Sequence, residues 1–246
     1  MSHGVVAEPA HRLRAVIVGS GMIGNVHRRA AILAGAEIVG VVEHDLQAAQ
    51  DAAERWEVRN YYDCLADALE PDVDVVHICT PNITHAELTR LTLLADTHVI
   101  CEKPLCLDPA EGTELAQLAE SRGLVAAIPY IYRYHPLVRE IRERRLAGEF
   151  GRLHLIHGSY LQDWLLSPKV SSWRVDSDRG GRSRAFADIG SHWCDLVEWV
   201  AGQQISALLA DTAIAVPERP AQSGPTFSGA SATATQQIAV QTEDIA

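Results

Sequence analysis

The sequence predicts an α/β fold in which a doubly wound parallel sheet is followed by an α+β domain with an open sheet. Two observations lead to this prediction. Over the first half, short apolar runs alternate with helical patterns of roughly 10–15 residues, which is typical of a parallel sheet covered by helices. From about Pro129 this rhythm stops, and an aromatic connector, a charged helix and longer strand-like runs follow.

Each element of the first half is predicted from its apolar spacing and its boundaries. Apolar runs predict six strands, at 13–18, 38–42, 61–62, 73–79, 98–101 and 124–128. Helical spacing predicts five helices between them, at 23–33, 46–56, 64–69, 83–95 and 109–122. Asp45 and Asp108 precede two of these helices and are expected to cap them, because a short carboxylate can accept a hydrogen bond from a free backbone N–H group.

The second half is predicted to combine helices with longer strands. Periodicity places helices at 137–146 and 191–200 and strands at 152–160 and 205–216. The segment 217–237 is rich in Pro, Ser, Gly, Thr and Ala, which is typical of a surface loop. Strands of this length favour an open, largely antiparallel sheet.

Composition and charge exclude several classes of function. The chain has 246 residues and a formal net charge of −11, which argues against nucleic acid or an anionic membrane as the main partner. No apolar run approaches ~18 residues, the length that spans a bilayer, and the N-terminal segment lacks the pattern of a signal peptide. We therefore expect a cytoplasmic protein without a membrane partner.

The cysteines indicate a reducing compartment and no metal site. The five cysteines show no zinc-type pairing, and most lie in apolar runs, so buried free thiols are expected. His98, Cys101 and Cys106 come nearest to a ligand set, but 98–101 is predicted as a strand, in which neighbouring side chains point to opposite faces. No bound metal is expected.

A glycine-rich turn joins the first predicted strand to the first helix. Its residues are Gly19, Ser20, Gly21, Met22, Ile23 and Gly24. At this spacing the first glycine permits the tight turn, the second lets the backbone approach a pyrophosphate, and the third lets the helix pack closely on the sheet. The alternative is a turn that needs small residues for steric reasons alone. Glu43 ends the next strand about 20 residues on, where a carboxylate can bind the adenine ribose, and this favours dinucleotide binding.

Glu43 also predicts which dinucleotide is used. Its carboxylate would repel a 2′-phosphate, so NAD is expected and NADP is disfavoured. The next residue, His44, is only a weak counter-argument.

Two further polar clusters follow predicted strands. They are Thr80-Pro81-Asn82 and Glu102-Lys103-Pro104. Because ligands of doubly wound sheets bind beyond the carboxyl ends of the strands, both clusters are expected on the side of the glycine turn. Lys103 is compatible with two roles, contact with the nicotinamide end of a cofactor or a surface ion pair with Glu102, and its spacing leaves both open.

A carboxylate and a histidine at the start of a second-half helix form another candidate site. If the helix begins near Ile189–Ser191, Asp188 lies at or just before its N-cap and His192 lies in its first turn. A histidine beside a carboxylate suits proton transfer at neutral pH. The alternative is that Asp188 only caps the helix and His192 packs beside Trp193.

Four motifs carry a family resemblance. In order, they are Thr80-Pro81-Asn82 with His85, Glu102-Lys103-Pro104, Tyr132-Arg133-Tyr134-His135-Pro136 and Asp188-Ile189-Gly190-Ser191-His192. Over about residues 12–246 the chain resembles the glucose–fructose oxidoreductase / inositol dehydrogenase / rhizopine catabolism (Gfo/Idh/MocA) family. The resemblance implies a Rossmann dinucleotide-binding domain over 12–128 and a substrate-binding and oligomerisation domain over 129–246.

The resemblance also implies roles for individual residues. The implied catalytic set is Lys103, Asp188 and His192. The implied contacts to NAD are Gly19, Gly21, Met22, Ile23, Gly24, Glu43, Thr80, Pro81, Asn82, His85, Glu102 and Lys103. Tyr160 and Trp173 lie in stretches similar to the branch that acts on inositols, anhydro-sugars and related cyclic polyols. They are expected to contact the substrate together with Lys103, Asp188 and His192.

The expected activity is NAD-dependent hydride transfer to or from a hydroxyl-bearing carbon of a cyclic polyol or sugar, in a homo-dimer or homo-tetramer. Two alternatives stay open, an eliminating or glycoside-cleaving enzyme that uses NAD transiently and a non-catalytic NAD or sugar sensor. Family members usually continue well past the segment that matches 240–246. The chain is therefore expected to be truncated at its C-terminus, with an incomplete second sheet.

Overall fold

The computed structural model describes residues 12–221 and 236–246, and these divide into two compact units. The first unit ends at Ile128, and the second begins at Pro129. Within the described ranges no helix has both the length and the apolar character needed to cross a bilayer.

The first unit is a six-stranded parallel sheet with connecting helices. Its elements are β1 (Arg14–Val18), α1 (Met22–Leu33), β2 (Glu37–Val42), α2 (Leu46–Trp56), β3 (Asn60–Tyr62), α3 (Leu65–Ala68), β4 (Val75–Ile78), α4 (His85–Leu94), β5 (His98–Cys101), α5 (Pro109–Arg122) and β6 (Ala126–Ala127). The strand order is β3-β2-β1-β4-β5-β6, with every pair parallel. The order changes direction between β1 and β4, which is where such sheets bind their ligands. The predicted α/β fold class is confirmed.

The core of the first unit lies on both faces of the sheet. On one face Val76 of β4 packs in a cluster with Leu93 of α4 and Leu115 of α5. On the other face Ile17 of β1 packs with Trp56 of α2. Burial on both faces explains why these strands are continuous apolar runs rather than alternating ones.

The predicted helix caps are confirmed. Asp45 accepts a hydrogen bond from the backbone N–H of Ala48 at 2.8 Å, and Asp108 accepts one from Ala110 at 2.8 Å. Both carboxylates satisfy N–H groups that have no partner inside the helix.

The second unit combines helices with short strands. Its elements are α6 (Pro136–Leu146), α7 (Ser177–Gly180), α8 (Ser191–Ala201), β7 (Glu218–Pro220) and β8 (Gln237–Ala239), with a single π-helical turn, Phe186–Gly190, directly before α8. The strands β7 and β8 pair antiparallel. The helices predicted at 137–146 and 191–200 are confirmed.

Two predicted strands of the second unit are wrong. The segments 152–160 and 205–216 contain no strand, although an isolated bridge joins Ala213 to Ile245. Their apolar side chains point to solvent, as at Leu155 and Leu209. A strand exists only when a neighbour supplies its backbone hydrogen bonds, and among the described residues such a ladder reaches these two segments at Ala213 alone.

The loop predicted at 217–237 is only partly correct. Its first residues form β7, and its last residue begins β8. Residues 222–235 of this predicted loop lie outside the described residues.

Two buried histidines meet inside the first unit. His27 of α1 and His77 of β4 are 8% and 6% exposed, and their Nδ1 atoms are 3.1 Å apart. Burial, with a smaller effect from the charge of His27, lowers the pKa of His77 from 6.5 to about 4. His77 is therefore neutral in the folded protein at physiological pH.

We expect His77 to make the fold sensitive to mild acid. The unfolded chain binds a proton here near pH 6.5 and the folded protein only near pH 4, so the free energy of unfolding decreases as the pH falls through this window. The slope from one such group is at most about 1.4 kcal/mol per pH unit. Urea unfolding across this range should give a shallower decline for His77→Asn, which cannot titrate, and equal slopes in both proteins would contradict the assignment.

Candidate functional site

The three glycines of the turn after β1 have different surroundings. Gly19 has φ +90°, and a Cβ there would lie 2.8 Å from the carbonyl oxygen of Cys79. A Cβ on Gly24 would lie 1.8 Å from the carbonyl oxygen of Gly19. A Cβ on Gly21 would meet nothing within 4 Å. The first and third glycines are thus required by the fold, whereas the second leaves an open face on the backbone.

The open face lies at the N-terminus of α1. Gly21 is the N-cap residue and offers no capping side chain, so the N–H groups of the first turn are available to a ligand. Unpaired N–H groups and the positive end of the helix dipole favour an anion, and the missing Cβ admits one closely. These residues fit the pyrophosphate of a dinucleotide.

Glu43 follows β2 and is held against the glycine turn. Its Oε1 accepts a hydrogen bond from the backbone N–H of Ser20 at 2.5 Å. Burial raises the pKa of Glu43, but hydrogen bonds from Ser20 and His44 outweigh it, and the pKa is lowered overall. Arg55 of α2 donates to the carbonyl oxygen and the hydroxyl of Ser20, at 3.1 and 3.0 Å. An ionised carboxylate therefore stands beside the turn.

His85 braces the two loops that follow β4 and β5. Its Nε2 is 2.8 Å from the carbonyl oxygen of Thr80, and its Nδ1 is 2.6 Å from that of Pro104. The side chain is 1% exposed. Thr80 also hydrogen-bonds Thr84 through their hydroxyls at 2.6 Å. His85 thus lies between the loop after β4 and the loop after β5 and contacts both.

Glu102 and Lys103 lie directly after β5. The Oε2 of Glu102 accepts a hydrogen bond from the backbone N–H of Lys103 at 3.2 Å, and its Oε1 is 3.1 Å from Nε2 of His27. Burial raises the pKa of Glu102, but the hydrogen bond and charge of His27, with Lys103, outweigh it and lower the pKa. Lys103 is half-buried.

The first unit brings its predicted site residues to one edge of the sheet. The glycine turn, Glu43, the Thr80 loop and the Lys103 loop follow β1, β2, β4 and β5, and the carboxyl ends of these parallel strands share an edge. In the described ranges, no group of three or more His, Cys, Asp or Glu side chains is arranged to hold a metal ion.

In the second unit, Asp188 and His192 occupy successive helical turns. Asp188 lies within the π-helical turn and His192 in the first turn of α8. Asp188 lies shortly before the N-cap residue of α8, Gly190, as expected, and the alternative in which Asp188 only caps the helix is excluded because no side chain caps α8. The carboxylate of Asp188 is instead 3.4 Å from Nε of Arg174. Single π-helical turns are frequent at functional sites.

Three tyrosines surround the His192 ring. The ring centroids of Tyr130, Tyr132 and Tyr160 lie 5.5, 5.0 and 6.5 Å from that of His192. The hydroxyls of Tyr132 and Tyr160 hydrogen-bond each other. Burial and this neighbour raise the pKa of Tyr160 to about 12, so its hydroxyl stays protonated. Tyr130 and Tyr132 were missed as site residues, although both lie in the aromatic connector.

Trp173, the other residue expected to contact the substrate, stacks against Arg174. The guanidinium carbon of Arg174 lies 4.5 Å from the Trp173 ring centroid and 5.5 Å from that of Trp164. The two indoles therefore hold the cation that faces Asp188.

Glu243 supports the turn that carries Asp188. Its Oε1 accepts hydrogen bonds from the hydroxyl of Ser183 at 2.8 Å and from the backbone N–H groups of Arg184 and Phe186 at 2.8 and 2.9 Å. Next to it, Asp244 pairs with Arg184. No local spacing in the sequence predicts these contacts, because they join residues about 60 positions apart.

A cavity of about 240 Å³ lies beside this turn. Its lining includes Asp188, Trp164, Arg184, Arg219 and Asp244. Apolar side chains, among them Leu165, Ile189 and Val216, form most of the remaining lining, and of the predicted catalytic set in this unit Asp188 borders the cavity whereas His192 does not.

Comparison with known proteins assigns both units. Residues 13–130 match the family described as "Oxidoreductase family, NAD-binding Rossmann fold", and residues 138–246 match the GFO/IDH/MocA C-terminal domain. Levoglucosan dehydrogenase of Pseudarthrobacter phenanthrenivorans is 33% identical over 186 residues, which cover 75% of this chain and 47% of that protein. The chain spans about half the length of the curated relatives it matches.

The chain is also similar to solved structures. An oxidoreductase domain protein from Kribbella flavida matches with a TM-score of 0.84 and 29% identity, over 95% of this chain and 63% of that one. A levoglucosan dehydrogenase in complex with NADH and levoglucosan matches with a TM-score of 0.81 and 30% identity, over 88% of this chain and 61% of that one.

The surroundings of the glycines predict opposite effects for two alanine substitutions. Gly24→Ala forces α1 away from the turn and should cost about 3 kcal/mol or more of unfolding free energy. Gly21→Ala should change stability by no more than about 1 kcal/mol but weaken NADH binding at least about tenfold, since its methyl group fills the open face. Urea unfolding measures the change in stability, and NADH fluorescence titration measures the change in affinity. Full NADH affinity in Gly21→Ala would contradict pyrophosphate binding at the open face of Gly21.

Proposed function

This chain belongs to the Gfo/Idh/MocA oxidoreductase family, and from that premise we propose that it transfers a hydride between NAD and a hydroxyl-bearing carbon of a cyclic polyol or sugar. The observation that carries the proposal is the arrangement of residues along the carboxyl-end edge of the first sheet. There the open backbone at Gly21, the ionised Glu43 and the half-buried Lys103 follow β1, β2 and β5 of the parallel sheet. This arrangement suits the pyrophosphate, the adenine ribose and the reactive end of one dinucleotide.

The residues that would hold NAD follow from this edge. The turn Gly19–Gly24 would hold the pyrophosphate, Glu43 would bind the adenine ribose, and the loops at Thr80-Pro81-Asn82 and Glu102-Lys103 would contact the nicotinamide half. When bound, nicotinamide supplies the acceptor or donor of the hydride. His85 contributes by fixing the two loops rather than by facing the ligand.

The catalytic set that we propose consists of Lys103, Asp188 and His192. His192 takes the proton from the substrate hydroxyl, because a neutral imidazole is a suitable base near neutral pH. Lys103 donates a hydrogen bond to the same oxygen and stabilises the negative charge that develops there. Asp188 orients the substrate, and Arg174 fixes its carboxylate.

The proposed substrate class follows from the second unit. The tyrosines around His192, including Tyr160, offer flat apolar faces with polar edges, which suit the C–H faces and hydroxyls of a sugar ring. Trp173 stacks on Arg174 with one face, and its other face is the one proposed to contact the substrate. The similarity to levoglucosan dehydrogenase agrees with an anhydro-sugar or related cyclic polyol. A homo-dimer or homo-tetramer is proposed as the assembly.

We expect turnover to depend on Lys103 and His192 far more than cofactor binding does. NADH formation is followed by absorbance with inositols, pyranoses and anhydro-sugars. Lys103→Ala and His192→Ala should lower kcat by about 10²–10⁴-fold. Their Kd for NADH should stay within about threefold of the wild-type value. The sequence contains one other lysine, the exposed Lys169, and Lys169→Ala is the matched control that should leave both values unchanged.

Two results would contradict the proposed reaction. One is near-wild-type turnover in His192→Ala. The other is substrate cleavage without net NADH formation, which would favour an eliminating enzyme.

Glu43 should set the preference for NAD. Its lowered pKa keeps the carboxylate charged, and that charge opposes a 2′-phosphate. Glu43→Gln removes the charge and keeps the size, so the NADP/NAD ratio of kcat/KM should rise about tenfold or more. A wild-type preference for NADP, or an unchanged ratio in the variant, would show that Glu43 does not select the cofactor.

A further inference from the structure

Two buried histidines and the half-buried Glu102 form a hydrogen-bonded line at the edge of the first sheet. Nδ1 of His77 lies 3.1 Å from Nδ1 of His27, and Nε2 of His27 lies 3.1 Å from Oε1 of Glu102. The residues come from β4, α1 and the segment after β5. The proposed hydride transfer uses neither histidine.

The protons on this line are constrained by its chemistry. The ionised Glu102 can only accept, so Nε2 of His27 carries a hydrogen. When His27 is neutral, its Nδ1 accepts and the hydrogen between the rings belongs to His77. When His27 is protonated, its Nδ1 donates to His77 instead. In either state His27 donates to Glu102, and His77 supplies a matching partner because it can switch between its neutral tautomers.

The line ends at the backbone of Lys103. The two oxygens of Glu102 have different partners, His27 for Oε1 and the backbone N–H of Lys103 for Oε2. The carboxylate is thereby locked in one orientation at the residue before the lysine. Cys79 and His85 also lie within electrostatic reach of this carboxylate.

We propose that His27, braced by His77, is a positioning residue that fixes the Glu102 carboxylate and through it the loop that carries Lys103. His27 stands three residues after Gly24 on the helix whose N-terminus faces the pyrophosphate. The contact therefore ties the helix that receives the cofactor to the loop that bears the lysine. The role of His27 in catalysis rests on the proposed function, whereas the effect of His27 on the Lys103 loop does not.

Two substitutions at residue 27 separate positioning from packing. A glutamine places its amide nitrogen near the position of Nε2, so His27→Gln keeps the donor to Glu102. An asparagine mimics Nδ1, so His27→Asn keeps the contact with His77 and loses Glu102. Both are polar and smaller than or similar in size to histidine, so a merely structural role predicts similar losses in the two variants.

The reactivity of Lys103 is the direct readout. Limited acetylation with acetic anhydride, read by mass spectrometry, compares Lys103 with the exposed Lys169 as an internal reference, and the sequence contains no other lysine. In His27→Asn the Glu102 carboxylate loses its contact with α1, the loop that carries the half-buried Lys103 opens more readily, and the Lys103/Lys169 labelling ratio should rise about three- to tenfold. In His27→Gln the ratio should stay within about twofold of the wild type.

Equal ratios in the two variants would overturn the proposal. If His27→Asn does not fold, the pair His77→Asn and His77→Leu replaces it. Asparagine keeps the partner of His27 and should leave the ratio unchanged, whereas leucine should raise it, and equal ratios would again overturn the proposal. The labelling requires no turnover, so a wild-type chain that forms no NADH would defeat the proposed function and leave this test intact.

Discussion

The close approach of Gly24 to the carbonyl oxygen of Gly19 is the constraint on which the rest of the site depends. Because no side chain separates them, α1 begins directly over the end of β1. This placement directs the N-terminus of the helix to the sheet edge, leaves Gly21 open and brings His27 within reach of Glu102. One steric requirement thus places both the open N-terminus of α1 and the contact of His27 with Glu102.

The first unit was predictable because its signals are local. Apolar runs, the caps Asp45 and Asp108 and the glycine spacing each specify structure within a few residues, and the α/β fold and NAD-binding Rossmann domain are confirmed. In the second unit, 152–160 and 205–216 have the composition of strands, but pairing with distant segments decides whether strands form. The contact of Glu243 with Ser183 is equally invisible to periodicity.

Buried histidines recur as braces in this protein. His85 joins the loops after β4 and β5, and His27 joins α1 to the segment after β5. Burial lowers the pKa of His85, and its neutral ring has a single N–H group, so it donates to one of its two carbonyl partners at a time while the rigid ring packs between the two loops. Sequence reasoning placed His85 among the cofactor contacts from its motif. In the structure the His85 ring is buried between the loops after β4 and β5. The support that it gives to these loops in cofactor binding is part of the proposed function.

A crystal structure of the chain with NADH and a cyclic polyol would test the central claim most directly. The account predicts the pyrophosphate against Gly21 and the first turn of α1, the adenine ribose on Glu43, and one substrate oxygen within about 3.2 Å of both Lys103 Nζ and His192. A dinucleotide bound away from the glycine turn, or a substrate oxygen in contact with neither side chain, would contradict it.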